Sequence, residues 1–437
     1  MKRDLYAKLL DWKGSHYRKP LILRGARQVG KTYLLKEFGR ANYQNVVYVN
    51  FERDPGTADF FRGRLSLAGI IEKLSIYFET EILPQTTLLI FDEIQNAPEA
   101  LGSLKYFAEE AGEYHVAAAG SLLGLKVNNP TAFPVGKTEF LELHPMSFGE
   151  FLEAAGKAGL RRLIAEKTSL EPLEAAFHEK LLHLLRLYYF VGGMPEAVAL
   201  YIEDRSLSRV REIQRQILTG HVHDFGKHTT KTESIRLGRV RDSLPARLAL
   251  ENKKFRFADI SPHARLRDYA EAFGWLSDAG LIRLCHALKA ARLPLSGYRR
   301  EGAFKAYILD VGLLGARLDL SERMILDGNR LFTEFHGVFV ENYVAQELVA
   351  AGTEELYYWT SDSIAEVDFV VSSGDRIHAL EAKAGSSTKT KSLRFFGEKY
   401  KIPDLSRTNL LNFKRDGGIS NYPLYAVSRF PDLGGKL

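Results

Sequence analysis

Gly25, Ala26, Arg27, Gln28, Val29, Gly30, Lys31 and Thr32 form a complete G-x-x-x-x-G-K-T loop, and its flanks are those such a loop requires. The apolar run Leu21-Ile22-Leu23 precedes it, and a helix-like stretch opening at Tyr33 follows. Strand, glycine loop and helix start make a phosphate cradle. Backbone N–H groups and the positive end of the helix face the anion, and glycine lets the backbone come close. Lys31 is placed to reach the β- and γ-phosphates, and Thr32 to put its hydroxyl on Mg²⁺. The chain is expected to begin with a parallel α/β sheet that binds a nucleoside triphosphate.

A second element must then exist, and the sequence contains it. Thr87-Leu88-Leu89-Ile90-Phe91 is a continuous apolar run, as expected of a parallel strand buried on both faces, and it ends in Asp92-Glu93. Acids at that end of a strand lie where the ligand crevice of an open α/β sheet opens. Asp92 is the expected magnesium partner, and Glu93 the base that polarises the attacking water. Val46-Val47-Tyr48-Val49-Asn50-Phe51 and His115-Val116-Ala117-Ala118-Ala119 read as two further buried strands. Ser121, after the latter, is a candidate sensor of the γ-phosphate; a serine cap on the next helix is the competing reading.

These motifs, with Phe91-Asp92-Glu93-Ile94-Gln95, Ala119-Gly120-Ser121, Leu143-His144-Pro145-Met146-Ser147-Phe148 and Gly192-Gly193-Met194-Pro195-Glu196, resemble the AAA-type P-loop ATPases of bacteria and archaea that carry a large C-terminal region of uncharacterised function. The resemblance runs over essentially the whole chain and implies ATP with Mg²⁺, a RecA/AAA-like sheet and hydrolysis. One departure is Gly136-Lys137, where the family pattern implies an arginine. Lysine lacks the planar fork of arginine. The identity of an arginine finger therefore stays open, with Arg161 and Arg162 among the candidates.

At 437 residues the chain exceeds one ordinary core, and several domains are expected. No apolar run reaches membrane-spanning length, since His183 and Arg186 interrupt the longest one, and no stretch reads as a signal peptide. The single cysteine, Cys285, excludes internal disulfides and points to a reducing cytoplasm. The net charge of +6 is concentrated in patches. Between Arg283 and Lys305 the only acid is Glu301, against Lys289, Arg292, Arg299 and Arg300; a further patch holds Lys389, Lys391, Arg394, Lys399 and Lys401. Such patches suggest a polyanion such as DNA, the competing reading being solvated helix faces. A homo-oligomer and a protein partner are both left open.

Residues 151–245 are rich in Leu, Ala, Glu, Lys and Arg at helical spacing and read as a helical linker after an ATPase domain over 1–150. Gly192-Gly193-Met194-Pro195 interrupts it, either as a plain helix stop or as a link between nucleotide state and the C-terminal half. Over 246–322 a helix ending at Ala279-Gly280, a strand at 281–284, a basic loop and a strand at 306–310 follow the order of a winged helix. Arg292, Arg299 and Arg300 on its wing are then candidate phosphate contacts. A winged helix that docks a protein is the alternative.

Residues 323–437 hold a second chemistry. Ala365-Glu366-Val367-Asp368-Phe369 is strand-like with an acid inside it, and after a turn comes Leu380-Glu381-Ala382-Lys383. Asp, hairpin, Glu-x-Lys is the spacing of the restriction-endonuclease-like core. Period two puts residues 381 and 383 on one face of a strand. Asp368 and Glu381 are the expected Mg²⁺ ligands, Lys383 the group that steadies charge on the phosphate, and Glu341 the acid supplied by a preceding helix. Lys389 and Lys391 lie in an adjacent candidate phosphate-contacting loop. A fold of this kind retained for binding without cleavage is equally consistent with these residues. The expected whole is an α/β multidomain chain whose ATPase cycle controls DNA binding, with a protein-docking switch as its rival.

Overall fold

The computed structural model describes residues 1–63, 66–120, 134, 136–248, 266–321, 337–361 and 365–433. They form two compact units, Met1–His144 with Asp278–Gly280, and Pro145–Ser277 with Leu281–Leu437.

In the first unit β1 (Leu21–Arg24), β2 (Asn45–Asn50), β3 (Thr87–Asp92), β4 (His115–Ala119) and β5 (Glu139–Glu142) make one sheet in the order β2-β3-β4-β1-β5. Every pairing is parallel. The helices are α1 (Leu5–Gly14), α2 (Lys31–Asn42), α3 (Leu67–Tyr77) and α4 (Pro98–Glu110). A parallel sheet needs crossover connections, and these cover both faces. All six residues of β3 are accordingly buried. Phe51, Phe61, Phe91 and Phe107 pack edge to face across one side of the sheet. Leu34, Leu35 and Phe38 of α2 are buried as well. Because β4 lies between β1 and β3, the chain reverses its strand order beside β1. That reversal opens the crevice in which open α/β sheets bind ligands.

The second unit opens with helices α5 (Phe148–Ala154), α6 (Ala158–Ala165), α7 (Ala175–Val191), α8 (Pro195–Asp204), α9 (Leu207–His228), α10 (Lys231–Leu248) and α11 (Leu266–Asp278). Ser147 and Glu150 form a reciprocal capping box on α5. The glycine pair is a helix stop and more. Gly192, at φ +72°, ends α7, and Pro195 starts α8. Gly193 crosses residue 146 so closely that a Cβ there would lie 2.1 Å from the Met146 carbonyl oxygen. Met146 N–H donates to the Gly193 carbonyl at 2.6 Å, and Gly193 N–H to Asp310 Oδ2 at 2.6 Å. The two motifs singled out in the sequence thus meet at one buried backbone crossing.

The rest of the unit is an eight-stranded mixed sheet ordered β12-β13-β11-β10-β9-β8-β6-β7. Its strands are β6 (Ile282–Leu288), β7 (Arg299–Ile308), β8 (Leu356–Ser361), β9 (Ala365–Ser373), β10 (Arg376–Ala382), β11 (Leu405–Asn409), β12 (Lys414–Asp416) and β13 (Ile419–Pro423). Helices α12 (Val311–Arg317), α13 (Val338–Ala350) and α14 (Lys391–Tyr400) accompany it. Leu393 and Phe396 of α14 pack on Val367, Val370 and Ala379 of β9 and β10.

The strands read as a winged helix over 246–322 do not form a separate module. β6 pairs in parallel with β8, Cys285 opposite Leu356 and Leu288 opposite Trp359, so the hairpin is one end of the large sheet. Residues 249–265 of that stretch lie outside the described residues. The boundaries expected at 245 and 322 both fall within the second compact unit. The element order over 266–308 is the expected one, but local order does not specify which strand becomes β6's second neighbour.

Candidate active site

The phosphate loop is held by backbone conformations that its sequence anticipates. Gly25 sits at φ +142°, and a Cβ there would lie 2.2 Å from the Leu143 carbonyl oxygen. Gly30, at φ +95°, precedes α2, and its carbonyl accepts the first helical bond from Leu34 N–H at 2.9 Å. Arg3 closes the loop from behind, donating from Nη1 to the Val29 carbonyl at 2.8 Å. Lys31 Nζ donates to the carbonyls of Gly25 and Ala26, each at 2.8 Å, so the side chain lies back over its own loop. Burial pushes its ammonium down to about 8, against the opposing pull of Glu93 and Asp92. It is a buried cation whose hydrogen bonds go to neutral carbonyls, which fits a triphosphate. Arg27 lies 3.9 Å from Glu52.

The two acids differ in their surroundings. Asp92 Oδ2 accepts from Thr32 Oγ1 and from Tyr48 Oη, both at 2.8 Å, and more distantly from Asn50 Nδ2 at 3.4 Å. Thr32 and Asp92, side by side, are the oxygen pair that a hydrated Mg²⁺ beside phosphates requires. Glu93 leaves the strand at φ +52°, a left-handed conformation uncommon for a residue with a side chain. Its carboxylate accepts from Gln95 Nε2. Burial raises its proton affinity, Gln95 lowers it, Asp92 raises it and Lys31 lowers it, leaving it above the usual range. A carboxylate so placed is a stronger base than an exposed glutamate. Tyr48, Asn50 and Gln95 have no role in the expectations drawn from sequence. Their signal is positional: two lie on the strand paired with the Asp92 strand, in register Asn50 to Asp92, and one lies two residues past Glu93.

Loop, acidic strand and strand order define a P-loop nucleotide-binding domain. In agreement, residues 17–152 match a family model described as an AAA domain. Residues 182–324 and 336–425 match two models described as domains of unknown function (DUF8612 and DUF4143). No curated protein matches the chain by sequence. Among solved structures, similarity extends to the Walker-type ATPase PABY2304 of Pyrococcus abyssi, at 14% identity and TM-score 0.45, over 72% of this chain and 95% of that one. The Aeropyrum pernix ORC1 protein, solved in complex with DNA, has 14% identity and TM-score 0.28 over 72% and 90%. A RuvB variant from Thermotoga maritima has 15% identity and TM-score 0.30 over 70% and 92%.

Ser121 lies outside the described residues. Lys137 pairs with Glu109 at 3.0 Å, a partner within the same unit. Arg161 lies 3.8 Å from Glu153 and Arg162 4.0 Å from Glu166, both in the second unit. Arg292, Arg299, Lys389 and Lys391 are exposed, whereas Arg300 is half-buried. The loop before α14 is braced from below. Arg407 Nη1 donates to the Thr388 carbonyl at 3.0 Å, and Asn409 Nδ2 to that of Ser387 at 3.2 Å.

The second expected site has the acids and a surprise. Glu341 (α13), Asp368 (β9) and Glu381 (β10) are all on neighbouring elements, in the order helix, strand, hairpin, strand. Lys383 Nζ lies 2.6 Å from Glu381 Oε1, while Glu381 Oε2 is buried with no hydrogen-bond partner. Between Glu341 and Asp368 stands the ammonium of Lys305, from β7. It is 3.3 Å from Glu341, 3.5 Å from Asp368 and 2.7 Å from Glu366. Lys305 is 1% exposed. Burial alone would lower its proton affinity, but Glu341, Asp368 and Glu366 outweigh burial and hold it well above the ordinary lysine range. Tyr307 Oη donates to Glu341 at 2.9 Å and Ala382 N–H to Asp368 at 2.9 Å. Among the described residues, no group of three His, Cys, Asp or Glu side chains is arranged to hold a metal ion. Asp368 and Glu381, the expected Mg²⁺ ligands, stand on the adjacent strands β9 and β10. Lys305 reads in the sequence as the last member of the basic patch that begins at Arg283, but it is buried on β7 rather than exposed to a polyanion.

Proposed function

We propose that the first unit binds and hydrolyses ATP with Mg²⁺, and that the ATPase cycle governs how the basic second unit holds DNA. The observation that supports it best is the juxtaposition of Lys31, Thr32 and Asp92 over one loop, with Glu93 following Asp92. Bound magnesium would neutralise the charge developing on the phosphates. In this reading Lys31 turns from the loop carbonyls to the β- and γ-phosphates. Thr32 and Asp92 hold the metal's oxygen shell, with Tyr48 and Asn50 keeping Asp92 in place. Glu93, held by Gln95, takes a proton from the attacking water.

DNA is favoured as the partner by the exposed Arg292, Arg299, Lys389 and Lys391, which suit phosphates rather than base edges. Fluorescence anisotropy with duplex and branched DNA across a salt series tests this. Binding must weaken with salt, and Lys389→Ala/Lys391→Ala must flatten the log–log slope by about 0.9 for each phosphate no longer neutralised. Salt-independent binding, or none, would leave the protein-docking switch as the better account.

A further inference from the structure

We propose that Lys305 is a built-in cation: its ammonium takes the place of a divalent metal among Glu341, Glu366 and Asp368, so the second unit keeps a nuclease-like arrangement of strands without metal-dependent cleavage. This concerns the cation chemistry of the cluster and holds whether or not the unit binds DNA.

Glu341, Glu366 and Asp368 find their counter-charge within the chain. An ammonium has three N–H donors, and Lys305 has three carboxylates within 3.5 Å. The other donors act on the same groups. Tyr307 binds Glu341, the Ala382 amide binds Asp368, and Lys383 binds Glu381. Glu341, Asp368 and Oε1 of Glu381 are turned toward proton donors of the protein, while Oε2 of Glu381 is buried with no hydrogen-bond partner. A hard divalent cation needs six or more oxygens converging on one centre. Here the centre between Glu341, Glu366 and Asp368 is occupied by Nζ.

The strand that carries Lys305 is fixed by pairing with β6, Lys305 opposite Cys285, which is fully buried. The ring of Tyr358 lies 5.1 Å from Nζ. A metal entering the cluster would have to push the charge into these surroundings, where an unpaired cation is costly. A covalently tethered cation also cannot be exchanged, chelated or used to activate water, so the cluster is an ion-pair network and not a hydrolytic centre.

The test uses the nucleotide-free full chain and Mn²⁺, with free aquo-Mn²⁺ followed by electron paramagnetic resonance and folding by circular dichroism. Any Mn²⁺ held weakly at Thr32 and Asp92 is common to all variants and cancels. Wild type, Asp368→Asn and Glu381→Gln are expected to give superimposable isotherms. Lys305→Met is expected to gain about one Mn²⁺ per chain, and Lys305→Met/Asp368→Asn to lose it again. Lys305→Arg, which keeps the charge, should gain none. The proposal is overturned if Asp368→Asn or Glu381→Gln removes an Mn²⁺ that wild type binds, or if folded Lys305→Met gains none. Should Lys305→Met fail to fold, the comparison of wild type with Asp368→Asn and Glu381→Gln decides alone: superposition supports the built-in cation and a lost site refutes it.

Discussion

Lys31 gives the nucleotide site a measurable proton signature. In the nucleotide-free protein its ammonium is held at about 8 rather than 10.5, chiefly by burial. That difference corresponds to roughly 3 kcal/mol against keeping the charge. A folded-state value below the unfolded one for a lysine means that the cost is fully present below pH 8. It is relieved as the pH rises from 8 toward 10.5, because over that window the unfolded chain holds more protons. Phosphates arriving over the loop supply the missing negative charge, and the lysine should bind its proton tightly. Near and above pH 8 part of Lys31 is unprotonated beforehand, so binding a non-hydrolysable triphosphate with Mg²⁺ should take up a fraction of a proton that grows as the pH rises. Titration calorimetry in buffers of different ionisation enthalpy reads this as the slope of observed against buffer enthalpy. Lys31→Met should abolish the slope, weaken nucleotide binding, and stabilise the nucleotide-free protein at neutral pH by up to roughly 3 kcal/mol. A flat slope for wild type at pH 8.5, or an unchanged slope in Lys31→Met, would refute the reasoning.

Other consequences are equally direct. Gln95→Ala removes the donor that lowers the proton affinity of Glu93, so the acid limb of the ATPase pH profile should move to higher pH; an unmoved limb would disconnect Glu93 from the base role. Tyr48→Phe takes one hydrogen bond from Asp92 and should raise the Mg²⁺ concentration needed for half-maximal turnover about threefold to tenfold, in line with the loss of about 1 kcal/mol. Gly193→Ala drives a methyl group into the Met146 carbonyl and should cost about 3 kcal/mol or more, seen as a lower urea midpoint for the second unit.

How much of this is legible in the residues varies along the chain. The first unit reads well because its signals are local. A glycine loop between an apolar run and a helix, and an apolar run closed by Asp92-Glu93, fix both geometry and chemistry over short spans. The second unit reads less well because its decisive contacts join distant segments. Residues 266–308 have the local order of a winged helix, yet the pairing of Cys285 with Leu356 places their strands in the large sheet. Asp368, Glu381 and Lys383 are singled out by the Asp, hairpin, Glu-x-Lys spacing together with strand period. Lys305, which decides what cation the acids hold, lies 36 residues before Glu341 in a strand that reads as the far side of a wing. Gly193 is an intermediate case. A break is evident from Gly-Gly-Met-Pro, but only the fold reveals that its crossing partner is Met146.

The central claim is that a triphosphate over Lys31 is split with the help of Glu93. Single-turnover hydrolysis of ATP by wild type and Glu93→Gln, with nucleotide retention measured in parallel, tests it most directly. The expected result is undiminished retention with hydrolysis slowed about 100-fold or more. Equal rates in the two proteins, or no turnover by wild type with Mg²⁺ and DNA present, would contradict it.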